Sequence, residues 1–159
     1  MTVTPAIQDT YPDDVAHCYG CGRLNEHGYQ IKTRPHGEGT LTEFLPEPIH
    51  TAIPGYVYGG LIASLIDCHS TGSAAVFSME DAGIDMGSEP SPRFLTAHLE
   101  VDYLKPTPLD RMTLIGRAAE VKERKVVVIT DCIVEGEVTA RGYAVLVKMP
   151  EGMIETFSD

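Results

Sequence analysis

Apolar and polar positions repeat with two different periods along the chain, and the first period is helical. From residue 61 onward, apolar residues recur with the spacing of one helical face: Leu61, Ile62, Leu65 and Ile66. Small residues carry this run to about Met79, and Pro54, Gly55 and two further glycines mark a loop before it. A run so apolar and so poor in charge is typical of a buried helix.

The second period is the alternation that predicts strands. In the segment 94–103, one face is expected to pack (Leu95, Ala97, Leu99, Val101, Tyr103) and the other to be wet or functional (Thr96, His98, Glu100, Asp102). Further strands are predicted at about 112–121, 125–134 and 138–150, with a hairpin upstream formed by 28–33 and 39–45 around a turn at 34–38. Residues 80–92 are predicted to be a surface loop.

One long helix among five or six antiparallel strands predicts an α+β fold in which the sheet wraps the apolar sides of the helix. A chain of 159 residues is expected to form a single domain. We place that domain at 17–159. Residues 1–16 lack periodicity, and we expect them to be a mobile lead-in or a strap on the surface.

Asp67 interrupts the apolar helix, and no basic residue lies three or four positions away to pair with it. A carboxylate there must be solvated by a cleft, hydrogen-bonded or neutral, so it is either a structural aspartate or a reactive group. The hydroxyl of Thr71, one turn later, has two possible roles. It holds a water or the Asp67 carboxylate, or it donates back to the Asp67 carbonyl. The first helical amides, at Gly59 and Gly60, lack internal partners and suit a developing oxyanion.

The stretch YGGLIASLID, from Tyr58 to Asp67, resembles the HGGxxxxLxD motif of hotdog-fold acyl-CoA thioesterases of the phenylacetyl-CoA thioesterase-like (PaaI-like) branch. Two other stretches are similar to that branch: CYGCG at 18–22, followed by Asn25 and Gly28, and DYLKP at 102–106. Together the three motifs span nearly the whole chain in family order. Tyr58 stands where the motif has histidine.

The resemblance implies a hotdog domain that hydrolyses acyl-CoA, needs no cofactor beyond the CoA of its substrate, and forms a homodimer or a dimer of dimers. It implies catalytic roles for Asp67, Gly59, Thr71 and Tyr58. It implies substrate contacts from Gly60, His50, Thr96, Lys105 and Pro106, with Lys105 near the phosphates. The alternative for both His50 and His69 is a structural role. The alternative for Thr96 is an exposed position on a strand.

Gly59 and Asp67 are separated by about 12 Å along one helix, so one thioester carbonyl cannot touch both. The sequence therefore predicts a site shared between two subunits. A non-catalytic hotdog protein that binds acyl groups or only assembles is the alternative function, because the motif histidine is replaced. A hotdog dehydratase fits less well, since no aspartate–histidine arrangement is evident.

Composition narrows the possible partners. The net charge of −11 argues against nucleic-acid binding. No apolar run approaches the ~20 residues that span a bilayer, and no secretory signal begins the chain, so a cytoplasmic protein is expected. Cys18 and Cys21 form CxxC beside His17, but no second pair follows, so no metal site is predicted and the thiols are expected to be reduced.

Overall fold

The computed structural model describes residues 4–88 and 90–154. Its one α-helix within those ranges, α1, covers Gly59–Asp81, two residues beyond the predicted end. The same ranges contain six strands: β1 (Thr33–His36), β2 (Gly39–Phe44), β3 (Phe94–Tyr103), β4 (Met112–Val121), β5 (Lys125–Val134) and β6 (Glu137–Lys148). Among the described residues, no helix is both long enough and apolar enough to cross a bilayer.

The strands form one antiparallel sheet in the order β1-β2-β4-β5-β6-β3. The sheet packs against α1, whose side chains are buried on nearly every side from Leu61 to Met79. Contact is close at Gly142 of β6, where an added Cβ would lie 2.2 Å from the Ile66 side chain. The predicted α+β fold, with a sheet around a central helix, is confirmed.

The first hairpin differs from its prediction. Residues 28–32 are not part of a strand, β1 begins at Thr33, and the turn lies at Gly37 and Glu38 rather than over 34–38. Gly37 has a φ of 58°, which glycine adopts without strain. Pro35 is tolerated because β1 is an edge strand.

Residues 4–16 pack against the domain and do not extend from it as a lead-in, and they are more deeply buried than the surface strap that was the alternative. Two 3₁₀ turns, Ile7–Thr10 and Asp13–Val15, pack onto the domain and bury Ile7 and Tyr11 in the core. Gln8 is fully buried: its side chain donates to Thr33 Oγ1 over 3.0 Å and accepts from the Thr33 amide over 2.8 Å. These contacts fix the segment beside β1, which the lack of periodicity could not reveal.

Candidate functional site

The centre of the candidate site is a contact between α1 and β3. The hydroxyl of Thr96 donates a hydrogen bond to Asp67 Oδ1. Asp67 is half-buried, whereas its neighbours Ile66 and Cys68 are buried, so its carboxylate lies at the margin of the core. The structure thus brings together two residues that the sequence singled out, and Thr96 is not merely an exposed strand position.

A β-bulge explains why Thr96 faces the helix. The pairing of β3 with β6 shifts between Thr96 and His98, which leaves Ala97 as an extra residue. Thr96 lies opposite the buried Leu146, and Leu99 packs against the core beyond the bulge. The prediction of a single apolar face for β3 is therefore wrong for the residues before the bulge, because the bulge exchanges the two faces of the strand.

Burial raises the pKa of Asp67, because desolvation disfavours the charged carboxylate. The hydrogen bond from Thr96 and the positive charge of Arg93 act in the opposite direction, while Cys18 adds to the increase. Arg93 is held in place by its bond to the Phe94 carbonyl, 2.9 Å long, and lies over the Tyr11 ring at 5.0 Å. A carboxylate at the margin of an apolar core, under the electrostatic influence of a cation, can accept a proton or attack a carbonyl.

The other end of the site is the start of α1. Tyr58 is the N-cap, and its side chain makes no capping hydrogen bond, so the Gly59 and Gly60 amides meet no acceptor from residues 4–88 and 90–154. Tyr103, at the end of β3, donates to the Gly59 carbonyl over 2.8 Å. The Tyr58 ring covers Gly60, where a Cβ would lie 2.4 Å from the ring. The amides of Gly59 and Gly60 are therefore two available hydrogen-bond donors next to the Tyr58 ring.

Tyr58 and His50 belong to an aromatic group behind this helix start. The hydroxyls of Tyr58 and Tyr29 lie 3.2 Å apart, and the His50 ring is 5.7 Å from the Tyr29 ring and 5.9 Å from that of Phe44. His50 Nδ1 accepts from the Glu47 amide over 2.9 Å. This side of His50 is therefore used to fix its loop, and the described contacts do not join it to Asp67.

Two residues of α1 have structural partners. The Thr71 hydroxyl is buried and donates to the Cys68 carbonyl over 3.0 Å, so it reaches neither the Asp67 carboxylate nor, as the alternative held, the Asp67 carbonyl. His69 is fully buried, with Nδ1 2.8 Å from Thr42 Oγ1 and Nε2 3.3 Å from Thr40 Oγ1. Burial lowers the His69 pKa to about 3. The structural alternative for His69 is confirmed.

Lys105 and Pro106 follow β3 and are exposed. The Lys105 ammonium is 3.0 Å from Glu137 Oε2, so its charge is partly compensated in the isolated chain. Both residues lie beyond the Tyr103 end of β3, away from the Thr96 end that contacts Asp67. Lys105 therefore lies towards the Gly59 end of the candidate site.

Three thiols meet beside Asp67, which the sequence did not predict. Cys18 and Cys21 come from the CYGCG loop and Cys68 from α1, and their sulfur atoms all lie within 4.8 Å of one another. Hydrogen bonds from the other two thiols lower the pKa of Cys18. The pKa values of Cys21 and Cys68 are raised, that of Cys21 to about 11. A single cysteine after Asp67 gave no signal, because its partners lie far away in sequence.

Comparisons with known proteins agree with this architecture. The family model "Thioesterase superfamily" matches residues 54–140. A solved thioesterase superfamily protein from Shewanella loihica PV-4 is 47% identical, with a TM-score of 0.64 over 80% of this chain and 97% of that one. A putative thioesterase related to phenylacetic acid degradation, from Ralstonia eutropha JMP134, has a TM-score of 0.58 at 14% identity, covering 75% of this chain and 85% of that one.

A curated relative comes from a longer protein. Acyl-coenzyme A thioesterase THEM4 of Xenopus laevis is 36% identical over 84 residues, which are 52% of this chain and 32% of that protein. The chain thus spans about a third of that relative's length. The family model and these relatives confirm the resemblance to thioesterases that the three motifs indicated.

Proposed function

The chain belongs to the thioesterase superfamily and has its hotdog fold, and from this premise we propose that it hydrolyses acyl-CoA thioesters to a free acid and CoA. The observation that carries the proposal is the half-buried Asp67 on an apolar helix, fixed by the Thr96 hydroxyl and lying near Arg93. The acyl-coenzyme A thioesterase named among the relatives supports the choice of substrate class.

In the proposed reaction, Gly59 and Gly60 donate their free amides to the thioester oxygen, where negative charge develops. Water or the Asp67 carboxylate attacks the carbonyl carbon, and the C–S bond then breaks to release the CoA thiolate. If Asp67 is a general base, it takes the proton of the attacking water. If it is the nucleophile, a mixed anhydride forms and a water hydrolyses it in a second step.

We further propose that each site is shared by two subunits. The Thr96 contact and the Tyr103 contact lie at opposite ends of β3, so Asp67 and Gly59 of one chain face different places. Among the described residues, β3 pairs with β6 alone and so forms an edge of the sheet, where it exposes Ala97, His98, Glu100, Asp102 and Tyr103. Such an edge is a surface on which a second copy can pack.

A non-catalytic hotdog protein that binds acyl-CoA is the second candidate. It is favoured by Tyr58, whose hydroxyl lies 3.2 Å from that of Tyr29 at the position of the motif histidine. The two candidates differ in one measurement, because only an enzyme releases free thiol. A protein that binds acyl-CoA but releases no thiol from any acyl chain length or aryl-acyl group would support the second candidate.

The test of the first candidate is thiol release by Asp67→Asn, which keeps the volume and removes the base or nucleophile. We expect kcat to fall by at least about 100-fold. Asp81→Asn, at the exposed end of α1, is the matched control and is expected to retain wild-type activity. A folded Asp67→Asn variant within about threefold of wild type would exclude the role given to Asp67.

A single turnover in ¹⁸O-labelled water separates the two roles of Asp67. A general base directs the label only into the released acid. A nucleophile leaves the label in the Asp67 carboxylate after the anhydride is cleaved at the protein side, or in the acid after cleavage at the acyl carbon. An acyl-protein mass adduct trapped before hydrolysis identifies the nucleophile in either case.

A further inference from the structure

The three-thiol cluster has the dimensions of a metal site rather than of a disulfide. Cys18 Sγ and Cys68 Sγ are 3.9 Å apart, and Cys21 Sγ lies within 4.8 Å of both. Four ligands at a Zn–S distance of about 2.3 Å in a tetrahedron place sulfur atoms about 3.8 Å apart, whereas a disulfide joins them at about 2.05 Å. The sulfur atoms therefore surround a point from which all three could bind one ion.

The loop that carries Cys18 and Cys21 is shaped around these sulfur atoms. The Gly22 amide closes the turn of this loop on the Cys18 carbonyl over 2.7 Å, and the Ile31 amide donates to the Gly20 carbonyl over 3.0 Å. Gly20 must be glycine, because a Cβ there would lie 2.3 Å from Cys68 Sγ. A side chain at position 20 would thus displace one of the cluster sulfur atoms, so the loop backbone leaves room for all three cysteines.

Charge balance also fits a divalent cation. Three thiolates and one divalent ion carry a net charge of −1, and the Arg93 guanidinium interacts electrostatically with all three cysteines. Cys18 is the partly exposed member, and it lines a cleft of about 400 Å³ together with Arg93 and Leu95. A fourth ligand from solvent can enter from this side, as in zinc sites with three protein ligands.

We propose that Cys18, Cys21 and Cys68 bind one thiophilic divalent cation, Zn²⁺, with the fourth coordination position open to that cleft. The sequence predicted no metal site because CxxC has no second pair; α1 supplies the third ligand. The ion ties the CYGCG loop to the helix next to Asp67 and so holds the wall of the candidate site. This inference does not depend on the proposed hydrolysis.

The test is a titration of the reduced, metal-free full chain with Co²⁺ and then Zn²⁺. We expect a thiolate-to-cobalt charge-transfer band that saturates at one equivalent per chain and disappears when Zn²⁺ displaces cobalt. Separate Cys18→Ser, Cys21→Ser and Cys68→Ser variants are expected to lose stoichiometric binding. Cys132→Ser is the matched control: Cys132 is buried in β5, 4.0 Å from Thr139 Oγ1 and outside the cluster, so its loss is expected to leave one equivalent bound.

A second measurement needs no variant and covers the case in which a serine variant fails to fold. Wild-type protein is treated with a thiol alkylating agent with and without Zn²⁺, and each cysteine is quantified by mass spectrometry. The ion is expected to protect Cys18, Cys21 and Cys68 while leaving the rate at Cys132 unchanged. Substoichiometric binding by wild type, unchanged binding in the three folded variants, or equal alkylation with and without Zn²⁺ would each overturn the proposal.

Discussion

The proposed shared site can be tested by complementation between two inactive variants. Asp67→Asn removes the carboxylate, and Gly59→Pro removes the first helical amide while a proline remains compatible with the first position of a helix. Each variant alone is expected to be inactive as a homodimer, because every site then carries one lesion. Mixing them with free exchange of subunits produces dimers that contain one chain of each kind.

The distances in the fold set the expected result. An amide about 2.9 Å from the carbonyl oxygen and a carboxylate about 3.5 Å from its carbon lie within about 8 Å of each other. Gly59 and Asp67 of one chain are about 12 Å apart along α1. Their contacts on β3, Tyr103 and Thr96, are separated by about 20 Å of strand. In a shared site, each mixed dimer therefore combines both lesions in one pocket and leaves the other pocket intact.

The activity to be recovered follows from random assortment. At equal amounts of the two chains, about half of the dimers are mixed and half of their sites are intact, so the pool should regain about a quarter of wild-type activity. The assay is thiol release from acyl-CoA after subunit exchange, with native mass spectrometry to count mixed dimers. Mixed dimers without activity would show that both groups act within one chain, and a monomer in solution would refute the shared site altogether.

Three further changes test single contacts. Thr96→Val removes the hydrogen bond to Asp67 and is expected to lower kcat/KM by about 10-fold, measured by thiol release. Lys105→Glu should raise KM for acyl-CoA much more than for a short thioester without the nucleotide. Glu137→Gln frees Lys105 from its ion pair and should lower KM for acyl-CoA. His69→Ala leaves a cavity between α1 and β2, and urea unfolding should show a loss of about 3 kcal/mol in the free energy of unfolding.

Matched substitutions control these measurements. Thr113→Val alters a half-buried threonine in β4, which β5 and β6 separate from β3 in the sheet, and Lys122→Glu alters an exposed lysine that pairs with Glu120. Both are expected to leave the kinetic constants near wild type. The Thr96 contact would be contradicted if Thr96→Val had the same kcat/KM as Thr113→Val. The Lys105 contact would be contradicted if Lys105→Glu changed KM equally for both substrates. The His69 contacts would be contradicted if His69→Ala left the free energy of unfolding unchanged.

The sequence by itself determined the secondary structure of the centre of the chain, the identity of Asp67 as an unusual carboxylate and the family motifs. The reason is that helical and strand periods, and a charge within an apolar run, are local properties. The uncapped glycines at the start of α1 were predictable for the same reason. The sequence did not reveal the packing of residues 4–16, since their burial depends on single side chains such as Ile7 and Gln8.

Only the tertiary structure decided which side chains meet. Regular alternation placed Thr96 on the wet face, and the bulge at Ala97 turns it towards Asp67. Thr71 lies at the expected spacing from Asp67, but its hydroxyl bonds the Cys68 carbonyl. Cys68 joins Cys18 across 50 positions of sequence, a contact that no local pattern encodes. Such contacts depend on strand register and on how the helix crosses the sheet, which arise only when the whole chain packs.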